Sequence, residues 1–286
     1  MRTGLKGRGT SPEPGGWAAR LDLAFERRAH GTVLAHVRHE GPLTVQRPLH
    51  PEGRDACHVV VVHPPGGVAS GDTLDLDVDV RAGAHAVLTM PGAAKFYRCD
   101  EAPSRQRVAL RVAAGAFVEW LPPETIVFDG ASASATLDLE VARGGGAIAW
   151  DVVALGRRAR GESFARGRWR QRLAVRRDGA LVVDDALDLR GDDRWLRSRV
   201  GLAGASVVAT MVAVGDALDD ALLDACRQAV GDAPRIGLTM PAAGLLVARV
   251  LADEAEHARN TFTAIWARLR RALAGLDPRP LRLWAT

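Results

Sequence analysis

In the segment Asp72-Thr-Leu-Asp-Leu-Asp-Val-Asp-Val80, apolar and acidic residues alternate without interruption from Leu74 onward. A period of two residues predicts a β-strand with leucine and valine on one face and carboxylates on the other. The glycine-rich stretch before it, residues 64–71, has neither the Gly-Lys-Ser/Thr ending of a phosphate loop nor a helical pattern after it. We therefore predict that this stretch is a tight connection between strands that fixes the position of Asp72.

Similar strand patterns extend from about residue 20 to 212, and a weak repeat runs through them. Val80-Arg-Ala-Gly83-Ala84 recurs as Val112-Ala-Ala-Gly115-Ala116, and looser copies occupy residues 141–144, 175–180 and 200–205. Each copy predicts a strand, a tight glycine turn and a return strand, and Asp178-Gly179 is the strongest hairpin signal. A spacing of roughly 25–35 residues fits either a β-helix-like stack or a layered sandwich. Chance recurrence in a chain rich in alanine and glycine is the alternative.

The two ends of the chain have different patterns. Residues 1–19, rich in glycine and proline, are predicted to be a flexible N-terminal segment. Residues 216–230 and 253–274 place apolar residues at helical spacing, and residues 244–251 between them are predicted to form a buried strand. The stripe of the second helix consists of Phe262, Ile265, Trp266, Leu269 and Leu273. The expected fold is therefore one mainly β domain over residues 20–286, with stacked strands and a small C-terminal helical portion.

Composition narrows the possible functions. The chain has 286 residues, 47% of them hydrophobic, and a net charge of only +4, which is too mild to imply nucleic-acid binding. Its three cysteines contain no Cys-x-x-Cys pair, so a reducing cytoplasm is the expected compartment. No apolar run approaches a membrane span or a secretory signal.

Several acidic residues lie among large apolar neighbours, where an unpaired charge is costly. They are Glu119, Glu124, Asp129, Asp151 and Glu162. Three interpretations remain open: ion pairs or backbone caps, with partners from the arginines of residues 157–160; a polar or metal-passing path; and a glycosidase pair. Among the histidines, His63 beside the glycine-rich stretch is the best single candidate ligand, although most of the histidines are expected to be unrelated.

Arginine dominates residues 157–177, with Phe164 and Trp169 interspersed. Alternation of Arg168, Arg170 and Arg172 with less polar residues predicts one charged strand face. A solvated or protein-facing surface is favoured over contact with phosphates, because acids elsewhere nearly balance the charge.

Four blocks occur in a recognisable order. They are Pro65-Gly-Gly-Val68 with Gly71-Asp72, Lys95-Phe-Tyr-Arg98, Glu119-Trp-Leu-Pro-Pro-Glu-Thr-Ile-Val-Phe128, and Leu155-Gly-Arg157 with Gly161-Glu-Ser-Phe164. Together with the ending Leu281–Thr286, they resemble the UreD family of urease accessory proteins, called UreH in some systems. The sequence departs from the family pattern at Ser70, at residues 90–92 and at Asp151, where glutamate often follows tryptophan.

The resemblance implies a β-rich, non-enzymatic scaffold without a tightly bound cofactor. It implies binding to apo-urease and to the accessory proteins UreF and UreG, a possible dimer within the accessory complex, and passage of transient Ni²⁺ toward urease. The candidate path residues are Asp72, Glu119, Glu124, Asp129, Asp151, Glu162 and His63. The predicted partner-binding surface consists of Arg160, Arg166, Arg168, Trp169, Arg170 and, from the C-terminal helix, Trp266.

Two other function classes remain open from the residues alone. One is a β-sandwich carbohydrate-active or carbohydrate-binding protein, which would need an accessible acid pair and an aromatic platform. The other is an arginine-driven nucleic-acid binder, whose binding would fall steeply with salt.

Overall fold

The computed structural model describes residues 15–99, 101–231 and 235–281. Strands account for most of its regular structure, and two helices follow late in the chain. In chain order the elements are β1 (Ala18–Arg28), β2 (Gly31–Glu40), β3 (Thr44–Val45), β4 (Ala56–Val62), β5 (Thr73–Val80), β6 (His85–Thr89), β7 (Ala94–Phe96), β8 (Ser104–Val112), β9 (Phe117–Trp120), β10 (Thr125–Val127), β11 (Ser132–Val141), β12 (Gly146–Leu155), β13 (Arg168–Arg177), β14 (Ala180–Arg190), β15 (Val207–Val214), α1 (Asp220–Val230), β16 (Ile236–Ala242), β17 (Leu245–Ala252) and α2 (Ala255–Ala274).

Two sheets face each other across the main core. Sheet I has the order β14-β13-β11-β8-β5-β1-β2, and sheet II has the order β16-β17-β15-β12-β9-β6-β4-β3, with β7 and β10 attached beside β12. Strands β1, β5, β8, β11 and β13 run parallel in sheet I, as do β4, β6, β9 and β12 in sheet II. From β5 to β13 the chain alternates between the sheets, so each coil adds one strand to each sheet. The predicted mainly β fold is confirmed as a stack of solenoid-like coils whose outermost strands pair antiparallel.

The alternation in β5 explains how the coils stack. Leu76 lies beside Val108 of β8, which lies beside Leu137 of β11, and all three are buried between the sheets. On the outer face the acids of β5 meet arginines of β8, as where Asp77 accepts a bond of 3.1 Å from Arg107. Acidic and basic strands therefore alternate, which removes the repulsion that stacked like charges would cause.

The coils have two different ends. At the turn end, the tight turns 81–84, 113–116 and 142–145 stack on one another, and the amide of Gly115 bonds the carbonyl of Gly144 at 3.0 Å. The central glycines have positive φ of 68–74°, which favours glycine. At the opposite loop end, longer segments return the chain from sheet II to sheet I.

The predicted strand, glycine turn and return strand are confirmed for the first three copies of the repeat, but these turns are not hairpins. Each return strand enters the opposite sheet instead of pairing with the strand before it, because the turn bridges the two sheets. Residues 175–180 do form an antiparallel hairpin, with Asp178 and Gly179 both at positive φ. Residues 200–205 follow no strand directly and belong to an irregular connection between β14 and β15.

Both predicted helices are present and cover the face of sheet II that points away from sheet I. Helix α1 begins four residues later than predicted, because the Asp219 carboxylate accepts the Leu222 amide at 2.8 Å and caps it. In α2, Phe262 and Ile265 of the predicted stripe are buried against sheet II. Among the described residues no helix is long and apolar enough to cross a membrane.

Near the N-terminus and before β17, the structure contains strand residues that the sequence did not predict. Strand β1 begins at Ala18, inside the segment predicted to be flexible, while residues 1–14 lie outside the described residues. Strand β17 confirms the predicted buried strand. Strand β16 was missed, since Gly237 and Pro241 weaken its pattern, and Pro241 is tolerated because β16 is an edge strand.

Candidate functional site at the loop end

Most of the four sequence blocks meet at the loop end of the coils. The carbonyl of Lys95 accepts the Val68 amide at 2.7 Å, which joins the glycine-rich stretch to β7. The carbonyl of Phe96 accepts the Phe128 amide at 3.0 Å, and Val127 in turn accepts the Gly156 amide at 2.7 Å. Four segments distant in sequence are therefore joined by backbone hydrogen bonds into one surface.

Asp72 organises the start of this surface. Its Oδ1 accepts the Trp17 amide and its Oδ2 accepts the Ala69 amide, each at 2.8 Å, and the residue is only 7% exposed. The prediction that the glycine-rich stretch fixes Asp72 is confirmed. Because each carboxylate oxygen already accepts a backbone hydrogen bond, Asp72 acts here as a clamp between the stretch and β1.

Asp129 and Glu162 lie next to each other, and each carboxylate is paired with an arginine. Glu162 accepts the Asp129 amide at 3.2 Å and Arg157 Nε at 3.1 Å. Asp129 accepts the amide of Ala165 at 2.9 Å and Nε of Arg166 at 3.0 Å. The hydrogen bonds from Arg166 and Arg157 hold the pKa values of Asp129 and Glu162, respectively, below their usual range. These two acids match the ion-pair interpretation.

Glu124 reaches toward helix α2. Its Oε2 lies 3.5 Å from Nε of Arg259, yet both atoms are buried and make no hydrogen bond to a described atom. Buried polar atoms are normally hydrogen-bonded, so this pair is incompletely satisfied. Glu124 therefore keeps spare ligand capacity that Asp129 and Glu162 lack.

Asp151 occupies a different position from the other candidate acids. It projects from β12 into the space between the sheets, where Gln171 of sheet I donates a bond of 3.3 Å to its Oδ2. Burial raises the pKa of Asp151 to about 7, and the bond from Gln171 only partly opposes this. A cavity of about 420 Å³ between β14 and β17 reaches Asp151, and Trp195 is one of its lining residues.

Glu119 is fully buried in a hydrogen-bonded network that the sequence did not indicate. Its Oε1 accepts Nε2 of His85 at 2.7 Å and Nε of Arg270 at 3.0 Å, and its Oε2 accepts Nε1 of Trp266 at 2.6 Å. A carboxylate only accepts, so His85 carries its proton on Nε2. Burial raises the pKa of Glu119, but these three donors outweigh it and hold the pKa below its usual value. The network anchors α2 to sheet II.

The same network continues to Glu52 on the loop before β4. Arg270 donates to its Oε1 at 2.7 Å, and Nε2 of His58 lies 2.9 Å from its Oε2. Burial raises the pKa of Glu52, but the bonds from Arg270 and His58 outweigh it and lower the pKa to about 2. One signal was available in the sequence, because Arg270 lies four residues after Trp266 on the apolar side of α2.

The depressed pKa of Glu52 predicts a loss of stability in acid. Its folded-state pKa lies below its unfolded value, so its contribution is present above about pH 4.5 and is lost as the pH falls toward 2. The contribution amounts to about 3 kcal/mol. Between those pH values, the free energy of unfolding of the wild type should fall by about that much more than that of Glu52→Gln in urea titrations. Parallel pH curves for the two proteins would contradict the assignment.

Comparison with known proteins agrees with the blocks assembled at the loop end. The sequence model of the family described as UreD urease accessory protein matches residues 18–285. The urease accessory protein UreD of Nitrosococcus oceani is 44% identical over 274 residues, covering 96% of this chain and 92% of that protein. The urease accessory protein UreD 2 of Pseudomonas syringae pv. tomato is 46% identical over 270 residues, with 94% and 95% covered. This chain belongs to the UreD family of urease accessory proteins.

Two of the departures from the UreD pattern, Ser70 and Asp151, have identifiable positions in the structure. Ser70 Oγ accepts the Ala102 amide at 3.0 Å and donates to the Ala102 carbonyl at 2.9 Å, so it ties the glycine-rich stretch to the segment before β8. Asp151 faces the cavity between β14 and β17. Of the C-terminal block, residues 282–286 lie outside the described residues.

The candidate path residues of this UreD-family chain do not form one site. Across the described ranges, no three histidine, cysteine, aspartate or glutamate side chains converge as a metal site would require. Asp129 and Glu162 are neighbours at the loop end, Glu119 belongs to the α2 anchor, and Asp151 lies between the sheets. His63 lines a separate cavity beside the glycine-rich stretch.

The predicted partner-binding surface needs a correction. Trp169 and Trp266 are 0% and 1% exposed, since Trp169 packs against Phe96 in the core and Trp266 binds Glu119. Neither indole is available to a partner in this fold. Four arginines of the prediction do reach the surface: Arg166 and Arg168 in ion pairs with Asp129 and Asp188, and Arg160 and Arg170 without an ion pair among the described residues.

Proposed function

We propose that this UreD-family chain acts in urease maturation as a non-enzymatic scaffold that holds apo-urease and the accessory proteins UreF and UreG together in the cytoplasm. The observation that carries the proposal is the family match over residues 18–285, joined to the meeting of most of its sequence blocks at one end of the fold. A rigid stack of parallel coils suits such a role, because residues from distant segments keep fixed positions on one surface.

A second part of the proposal is that Ni²⁺ passes through the protein as cargo, with Asp151 as a weak transit ligand. Asp151 faces a cavity and bonds only to an amide, whereas the oxygens of Asp72, Glu119 and Asp129 already accept hydrogen bonds from amides, arginine or other donors. Nickel prefers imidazole, so a carboxylate beside an amide would bind it weakly enough to release it. Glu124, with its unsatisfied Oε2, is the second candidate for the path.

The carbohydrate-binding alternative has less support from the described residues. The neighbouring acids Asp129 and Glu162 are each committed to an arginine. Among the described tryptophans, Trp17 and Trp195 have large exposed areas, and they lie beside strands five spacings apart in sheet I. That separation is roughly 20 Å or more, too far for one aromatic platform.

Charge reversal at Arg160 and Arg170 together tests the scaffold surface. Both side chains are exposed near the loop end, so Arg160→Glu with Arg170→Glu should weaken capture of UreF and apo-urease at least about tenfold in quantitative pull-down. Fold integrity is checked by circular dichroism. The possible dimer within the accessory complex stays a prediction, which the mass of the captured complex would test.

A matched control uses the opposite end of the molecule. Arg54 and Arg143 are exposed at the turn end, so Arg54→Glu with Arg143→Glu changes the net charge equally. This control should bind like the wild type. Equal binding by both double variants would place the partner surface elsewhere.

A further inference from the structure

A cavity of about 250 Å³ lies at the loop end between the glycine-rich stretch and residues 90–94. Three polar side chains line it: His63, Lys95 and Gln106. The rest of the lining is glycine or apolar, and none of the described lining residues carries a carboxylate. The described lining therefore carries one positive charge and no carboxylate.

All three side chains lack a hydrogen-bond partner among the described residues. Within the described ranges, His63, Lys95 and Gln106 make no side-chain hydrogen bond or ion pair. The backbone amides of Gly67 and Ala93, also in the lining, likewise donate to no described atom. Gly67 is buried, so its unused amide is unusual, because buried polar groups in folded proteins normally find partners.

Lys95 is also exceptional in composition. The chain has 38 lysine and arginine residues, and only Lys6 and Lys95 are lysine. Arginine supplies every other cation, including the paired cations at the loop end. An ammonium is a compact point charge with three rotatable donors, whereas a guanidinium is a larger planar fork. A cavity of this size suits the smaller cation.

We propose that this cavity is an oxyanion site, in which the Lys95 ammonium, the Gln106 amide and the neighbouring backbone N–H groups bind a carboxylate or phosphate group. Ammonium and amide donors form strong, charge-assisted hydrogen bonds to such groups. The site goes beyond nickel transit, since a cavity with a fixed positive charge repels Ni²⁺.

His63 can add a further hydrogen-bond donor to the anion site. Burial lowers the pKa of its imidazole, and the nearby Asp72 charge only partly opposes this. The ring is therefore neutral at neutral pH and can donate one hydrogen bond to an anion. Because the positive charge of Lys95 lines the same cavity and repels Ni²⁺, His63 leaves the set of nickel-path candidates.

The decisive experiment uses the near absence of lysine. In the full chain carrying Lys6→Arg and ¹³Cε-labelled lysine, Lys95 gives the only lysine signal. Titration with inorganic phosphate, and separately with acetate, should shift that signal saturably. Sodium chloride at matched ionic strength should give only a small linear drift. Equal linear drift with all three salts would overturn the proposal.

A second experiment distinguishes two sources of the anion, an acidic side chain of a partner protein and a free anion. Lys95→Met and the matched control Arg54→Met are compared for phosphate binding by calorimetry and for capture of apo-urease and UreF. If Lys95→Met loses both, an acidic side chain of a partner is the natural ligand. If Lys95→Met loses phosphate binding alone, the ligand is a free anion. Phosphate binding by Lys95→Met equal to that of the wild type would contradict the site, whatever urease activation shows.

Discussion

Replacing Glu119 with glutamine is expected to lower the free energy of unfolding by about 3–5 kcal/mol, the cost of breaking a buried ion pair from one side. The carboxylate accepts bonds from His85, Trp266 and Arg270 at once, and Trp266 and Arg270 are each only 1% exposed, so neither has water as a ready alternative. The amide would point a donor at one of the three donors. The midpoint of urea unfolding measures the effect, and α2 should loosen first.

Glu140→Gln provides the matched control, because Glu140 is an exposed acid on the outer face of β11. It should change stability by no more than about 0.5 kcal/mol. A Glu119→Gln protein within 1 kcal/mol of the wild type, or one that loses no more than Glu140→Gln, would contradict the anchoring role of the network.

Replacing Asp151 with asparagine is expected to reduce nickel loading of urease at least about tenfold while complex formation stays normal. A tenfold loss is the scale on which removing support for a metal ion usually acts. Asparagine keeps the size of the side chain and its contact with Gln171 but removes the charge that would attract Ni²⁺. Nickel per urease and urea hydrolysis after co-expression are the measurements.

Asp138→Asn is the control for this variant, since Asp138 faces outward from β11 and lies away from the cavity. It should support activation like the wild type. Full activation by Asp151→Asn, with normal complex formation, would remove the transit role and leave the scaffold role standing.

Local pattern was sufficient for the strands and the helices. The alternation of β5 correctly gave its buried face, Asp178-Gly179 gave the hairpin, and the stripe of α2 gave the helix face. The repeat of Gly83 and Gly115 gave the positions of the turns. It did not give the pairing, because whether a return strand joins the same sheet or the opposite one depends on contacts between coils.

The different roles of Glu119 and Asp151 could not be predicted from local sequence. Both acids have a tryptophan neighbour in an apolar strand, so the local sequence predicts the same environment for each. What distinguishes them is Arg270, which lies 151 residues after Glu119 and reaches it only once α2 has docked. Asp151 meets an amide in the facing sheet instead. Long-range packing therefore decides which acid is structural.

The aromatic partner residues were misplaced for a related reason. Interface cores and protein cores favour the same large side chains, so Trp169 and Trp266 fitted both descriptions. For Trp169, the alternation of the strand was enough to predict that the side chain is buried. If Arg168 and Arg170 face outward, the residue between them faces inward, and the structure shows it buried.

Nickel per urease active site, measured after co-expression of apo-urease and the other accessory proteins with and without this chain, tests the maturation role most directly. We expect nickel-loaded urease that hydrolyses urea only when the chain is present. Equal nickel content and activity in its absence would contradict that role for this chain.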